Sequence, residues 1–237
     1  MSNVKETTSD DPPLYQIRIS QRAKRMQLKV SPLGVIEVVL PQNINPKHVP
    51  SFVAEHQHWI KQTQKKMAAL YPTAELLPGS LEFAATNQQW RLEYLEGKCA
   101  RVAATNDILR VYSQDDKSAQ KALQQWLNRR ADEILMPWLH NVSDELGLTF
   151  KRTIIRAQKT RWGSCSSSGT ISINRALLFM PPNTVRYLFI HELCHTKEMN
   201  HSVRYWALVE RYMPDYPQHE QILNQGMRAI PRWALTT

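Results

Sequence analysis

Val185, Leu188, Phe189 and Leu193 recur at helical spacing, and the same stretch carries His191, Glu192 and His195. A helix that buries this apolar stripe must bury ionisable groups with it, and a buried charge without a partner is costly. The segment therefore has to pack on a core and also satisfy those groups. His191 and His195 lie four residues apart, so they project from one helix face. Their Cβ atoms are then about 5–6 Å apart, the reach with which two imidazoles hold one zinc ion. Glu192 adjoins the first of them, and in an HExxH arrangement such a glutamate stands beside the metal. There it can take a proton from water without occupying a coordination position.

A catalytic zinc site normally takes three protein ligands and leaves one position open. His201, six residues after His195, is the third candidate, and Asn200 before it tolerates the left-handed backbone that would turn the chain back. The HExxHxxxxxH spacing is that of metzincins, but Glu198 stands where those proteins have a turn glycine. Glu210 is the reserve ligand, since other zincins recruit a glutamate from a following helix.

The rest of the chain supplies a scaffold of mixed type. "YQIRIS", "MQLKV" and "VIEVVL" alternate apolar and polar residues and read as a small antiparallel meander, with "SPLG" as the turn before the third strand. A helix follows, capped by Asn45 with Pro46 in its first position, and its stripe runs from Val49 to Met67. "LEFAA", "WRLEYLE", "ARVAA" and "ILRVY" return to strands. A long amphipathic helix then spans 117–146, with Pro137 expected to kink or split it and Gly147 to end it. "TIIRA" and "TISIN" are strand-like, and "GSCSSSG" between them reads as a flexible turn. Pro181 and Pro182 break the chain before the histidine helix, which Asn183 or Thr184 can cap. The expected division is a disordered tail over 1–14, a β-rich portion with one helix over 15–112, and a metal-binding portion over 113–237, integrated as one domain over 15–237.

Composition bears on partners and compartment. The net charge of +9 favours polyanions, so nucleotides and nucleic acid enter as candidate partners, although the charges are spread along the chain. Cys99, Cys165 and Cys194 form no CxxC pair, which argues against a disulfide framework and a cysteine zinc site. No run of about 18 apolar residues and no apolar signal region is present, so a cytoplasmic protein without a membrane span is expected.

"RWGSC", the HExxH helix and "NHSVRYW", together with "RISQRAKRMQLKVSPLGVIEVVLP" and "FVAEHQHWIKQTQKK", resemble the YgjP-like metallopeptidase family, relatives of the SprT-like and WLM zincins. The resemblance implies a compact α+β zincin domain preceded by an N-terminal strand and helix portion. It implies one Zn2+ on His191, His195 and His201, Glu192 as general base, and a polypeptide substrate. A strand beside the site helix would pair with the extended substrate, and "TISIN" is the candidate, giving Thr170, Ser172 and Asn174 as substrate contacts. Arg161 and Trp162 can present a cation and an aromatic face near the metal, or serve as a salt-bridge partner and a core residue. Two other readings of the site stay open. One is hydrolysis of nucleoside triphosphates, with Arg152, Arg156, Lys159 and Arg161 facing the phosphates; the other is a non-catalytic zinc-stabilised module that binds nucleic acid or protein. The sequence leaves the oligomeric state unspecified.

Overall fold

The structure is a computed structural model, and it describes residues 14–30, 34–70, 77–158, 160–227 and 230–235. The expected tail and most of the "SPLG" turn lie outside the described residues, as does Lys159. The chain forms two compact units, Met1–Thr73 and Ala74–Thr237.

In the first unit, β1 (Tyr15–Ser20), β2 (Gln27–Val30) and β3 (Ile36–Pro41) make a sheet in the order β1-β3-β2. The strands fall where the alternation puts them, but the expected antiparallel meander is corrected. β1 runs parallel to β3, and only β2 is antiparallel to it. The physical reason is the composition of β3. Ile36, Val38, Val39 and Leu40 are all buried, and a strand apolar on both faces is stabilised most in the middle of a sheet. Asn45 accepts from the Lys47 backbone N–H at 3.0 Å and opens a 3-10 turn over Pro46–His48. The helix that follows is interrupted at His56, giving α1 (Val49–Glu55) and α2 (Gln57–Leu70). Val49, Val53 and Ile60 close a core with Ile36, Val38 and Leu40.

The second unit begins with β4 (Ser80–Phe83), β5 (Gln88–Glu96), β6 (Arg101–Thr105) and β7 (Ile108–Ser113), ordered β4-β5-β7-β6. β6 and β7 pack against α3 (Asp116–Leu146), where Trp126 stacks on Phe83 at 5.8 Å and meets Trp90 edge-on. The division expected at residue 112 therefore falls inside this unit. A capping box between Asp115 and Ser118 starts α3, and Gly147, left-handed at φ 64°, ends it. Of the expected kink or split at Pro137, the split does not occur, and the helix runs unbroken through the proline. Leu135 and Leu139 are fully buried on either side of it, so packing holds the turn whose hydrogen bond the proline removes.

β8 (Arg152–Arg156), β9 (Gly163–Cys165) and β10 (Thr170–Asn174) form a third sheet, ordered β8-β10-β9. "GSC" is thus a strand, and the turn is confined to 166–169, where Gly169 has φ 78°. α4 (Pro182–Cys194) follows a 3-10 segment and packs on α3, with Phe189 edge-on to Trp138 at 5.6 Å. α4 has no side-chain cap. Thr184 is instead buried, its hydroxyl 3.3 Å from Nδ1 of His219. α5 (Val203–Tyr212), α6 (Tyr216–Gly226) and α7 (Arg232–Leu235) complete the unit. Buried Arg175 ties it together by donating to the carbonyls of Gln124 and Ala234 and to Oδ1 of Asn128. Among the described residues no helix is long and apolar enough to cross a membrane.

Candidate metal centre

α4 buries Val185, Leu188, Phe189 and Leu193, and this packing fixes the other face of its last turns. His191 and His195 project from that face with ring centroids 5.0 Å apart. The chain then reverses through 196–200, where the Ser202 N–H donates to the Asn200 carbonyl at 2.7 Å. Asn200 is not left-handed, contrary to expectation; among the described non-glycine residues Asn87 and Asn106 alone have positive φ. The Ser202 hydroxyl, accepting from the Tyr205 N–H, starts α5 and leaves His201 facing α4. Nε2 of His201 lies 3.2 Å from Nε2 of His191, and one ring nitrogen from each of the three histidines falls within 4.8 Å of the others. Tetrahedral zinc with bonds of about 2.0–2.1 Å sets its nitrogens roughly 3.3 Å apart, so these residues fit such an ion with small adjustment.

The rings are oriented for that role. Nδ1 of His195 lies 3.1 Å from the Glu198 carbonyl, which makes Nδ1 the protonated nitrogen and leaves the Nε2 lone pair free. Tyr205 stacks on the His195 ring at 4.5 Å and 22°, and its hydroxyl donates to the His191 carbonyl at 3.1 Å. The Tyr187 hydroxyl stands 3.5 Å from Nδ1 of His191, and Trp206 stacks on His201 at 5.5 Å. Burial, helped by the charges of His195 and His201, pushes His191 down to about 3, so it is a neutral donor at pH 7. His195 is shifted down as well, first by burial.

Glu192 is the buried carboxylate of the site. It is 3% exposed, and among the described residues its Oε2 has no hydrogen-bond partner. Burial pushes its pKa up to about 8, against the pull of the nearby Arg161 guanidinium. β9 closes over it so tightly that a Cβ on Gly163 would lie 2.5 Å from Oε1.

The alternation of β9 and β10 corrects several substrate contacts expected from the sequence. Gly163 and Cys165 pair with Ile173 and Ile171, so these four residues share the face that meets Glu192. Thr170, Ser172 and Asn174 therefore point to the other face. β10 is also the central strand, with both edges taken by β8 and β9, so it has no free edge to offer a peptide. Asn174 is 1% exposed and fully engaged. Its Nδ2 donates to the carbonyls of Gln158 and Arg161, each at 2.8 Å, and its Oδ1 accepts from the Ala176 N–H. Trp162 is likewise a packing residue, donating from Nε1 to the Leu223 carbonyl at 2.8 Å on α6. Arg161, by contrast, stays exposed beside Glu192. Glu210 is exposed on α5 and stands outside the histidine cluster. Arg152 and Arg156 lie on β8, separated from β9 by β10. Cys194 is buried in the core, and Cys165 is pushed up to about 11, first by burial and then by the Glu192 charge, so neither is a ready nucleophile.

The sequence reading gave no role to Tyr187 or Tyr205, and it held Trp206 only as part of the "NHSVRYW" motif. Tyr187 stands four residues before His191 on the same helix, so helical spacing was the available signal for it, whereas His201 lies outside α5 and spacing gives no such signal for Tyr205.

Fold and site together define an α+β protein with a three-imidazole centre and a buried carboxylate on one helix. The chain matches the YgjP-like family, described as a metallopeptidase domain, over residues 24–226, and it belongs to that family. It is therefore a protein of metallopeptidase class, for which a metal ion is implied. The chain is also similar to the crystal structure of the metallopeptidase zymogen of Pyrococcus abyssi abylysin, at 28% identity over 41% of this chain and 95% of that one, with a TM-score of 0.36. The metallopeptidase zymogen of Methanocaldococcus jannaschii jannalysin is 18% identical over 39% of this chain and 96% of that one, with a TM-score of 0.35. No curated protein matches the chain.

Proposed function

We propose that this protein is a zinc-dependent peptidase in which His191, His195 and His201 hold one ion and Glu192 is the general base. The observation that carries the reading is the Glu192 carboxylate, buried next to three clustered imidazoles with an oxygen left unpartnered. A buried acceptor of that kind costs about 1–3 kcal/mol unless something pairs with it. A water molecule at the site is the partner that offsets the cost. When bound, the ion supplies Lewis acidity, polarising a carbonyl and making water acidic near neutral pH. Glu192 accepts the proton of that water and delivers it to the leaving amine. Without an ion, burial pushes Glu192 up to about 8, and the positive charge of a bound ion would draw it back towards the ionised form that a base needs.

β9 takes over the substrate-pairing role that the sequence suggested for β10. The Ser166 N–H donates to the Thr170 carbonyl and the Asn174 N–H to the Trp162 carbonyl, so the even residues of this strand pair inward with β10. Gly163 and Cys165 then turn their N–H and C=O groups to the open edge, next to Glu192. An extended peptide added there gains backbone hydrogen bonds independent of its sequence.

The test is reconstitution. Protein stripped with a chelator is loaded with zinc and offered unfolded casein and a panel of nucleoside triphosphates. Zinc-dependent cleavage of casein supports the reading; hydrolysis of the nucleotides with casein left intact overturns it.

A further inference from the structure

Arg161 stands two residues before Gly163, in the loop that leads into β9, and lies close enough to Glu192 for its charge to act on that carboxylate. The backbone beneath it is held firmly. Asn174 clamps the carbonyls of Gln158 and Arg161, and Trp162 is anchored to α6. The guanidinium itself is exposed and makes no ion pair or hydrogen bond with another described residue. With its base fixed and its tip in no ion pair or hydrogen bond, this cation acts on Glu192 through its charge alone and keeps its donors for a ligand. Guanidinium presents a planar fork of donors that fits a carboxylate in bidentate fashion.

The direction of the peptide follows from the edge it joins. Antiparallel addition to β9 carries the substrate towards Arg161 as it runs towards its own C-terminus. Arg161 lies two residues before Gly163, at most about 7 Å of chain, within reach of the first few substrate residues on that side. Resting on the peptidase reading, we propose that Arg161 is a specificity-determining residue that binds a carboxylate one to three residues C-terminal to the cleaved bond. The carboxylate is an Asp or Glu side chain or the free C-terminus of the peptide.

The test profiles cleavage sites by mass spectrometry in a mixture of synthetic peptides, each made as free acid and as amide. Zinc-loaded wild type, Arg161→Ala and Arg161→Glu are compared, with thermal melts to check folding. Wild type should favour acidic over neutral residues at these positions by about five-fold in kcat/KM, the scale of an exposed ion pair, with the difference in KM. Arg161→Ala should erase that ratio, and Arg161→Glu should turn the preference towards Lys and Arg. If the free terminus is the ligand, amidation abolishes the preference; if side chains are, amidation leaves it. Identical profiles in the three proteins overturn the proposal, as does an equal slowing of acidic and neutral peptides. Cleavage of no peptide by zinc-loaded wild type would overturn the peptidase reading, and this proposal with it.

Discussion

Gly163→Ala is a one-carbon probe of the candidate base. The added Cβ would lie 2.5 Å from Oε1 of Glu192, 2.9 Å from its Cγ and 3.0 Å from its Cδ, whereas ordinary contacts begin at 3.4 Å. Glu192 is 3% exposed, so its carboxylate has little room to retreat. The required withdrawal is roughly 0.9 Å, and a misplacement of about 1 Å at a reacting group costs on the order of 100-fold in rate. Overpacking of this kind also costs about 1–3 kcal/mol of stability. Gly163 does not have a positive φ, so backbone strain does not add to the effect. The proposed zinc ligands lie elsewhere on α4 and in the turn after it, so metal content should stay at the wild-type value. The assay is kcat/KM on unfolded casein, with zinc content and urea unfolding on the same preparation. A variant that keeps zinc and wild-type activity would refute the placement of Glu192 under β9 as the base.

His201→Ala should weaken zinc binding by at least ten-fold in a competitive chelator titration while the fold persists, because His201 is exposed. Tyr205→Phe keeps the ring on His195 but loses the hydroxyl bond to the His191 carbonyl, and urea unfolding should report a loss of about 1 kcal/mol. Arg175→Ala leaves two carbonyls and the Asn128 amide oxygen without their buried donor, with an expected cost of about 3 kcal/mol in the same assay. In metal-stripped protein, His191 falls from 6.5 to about 3 and removes stability as pH drops below 6.5, while Glu192 rises from 4.5 to about 8 and removes stability as pH climbs above 4.5. His195, also shifted down by burial, adds to the His191 slope and outweighs Glu192 just below 6.5, so the urea midpoint should rise towards pH 6.5 and fall from 6.5 to 8, and Glu192→Gln should abolish the alkaline fall.

The cluster of three histidines beside Glu192 was legible because its information is local. His191, Glu192 and His195 share one helix, and His201 follows within a single turn of chain, so spacing alone brought them together. β9 was not legible. Three small residues, Gly163, Ser164 and Cys165, have the composition of a turn, and they become a strand only because β10 offers them an edge. The same long-range pairing decided that "TISIN" is central, which neither its alternation nor its length could express. The strand reading also misled at Asn174, the last residue of "TISIN", whose amide is taken up in holding the carbonyls of Gln158 and Arg161. In the first unit, alternation located all three strands but carried no information on their order, which the apolar character of β3 set.

The most direct test of the central claim is to measure zinc content and casein hydrolysis together, on wild type and Glu192→Gln purified without a histidine tag. One zinc per chain in both proteins, with hydrolysis by wild type alone, is the predicted result. Equal hydrolysis by Glu192→Gln, or wild type that binds no zinc in a chelator-free preparation, would contradict it.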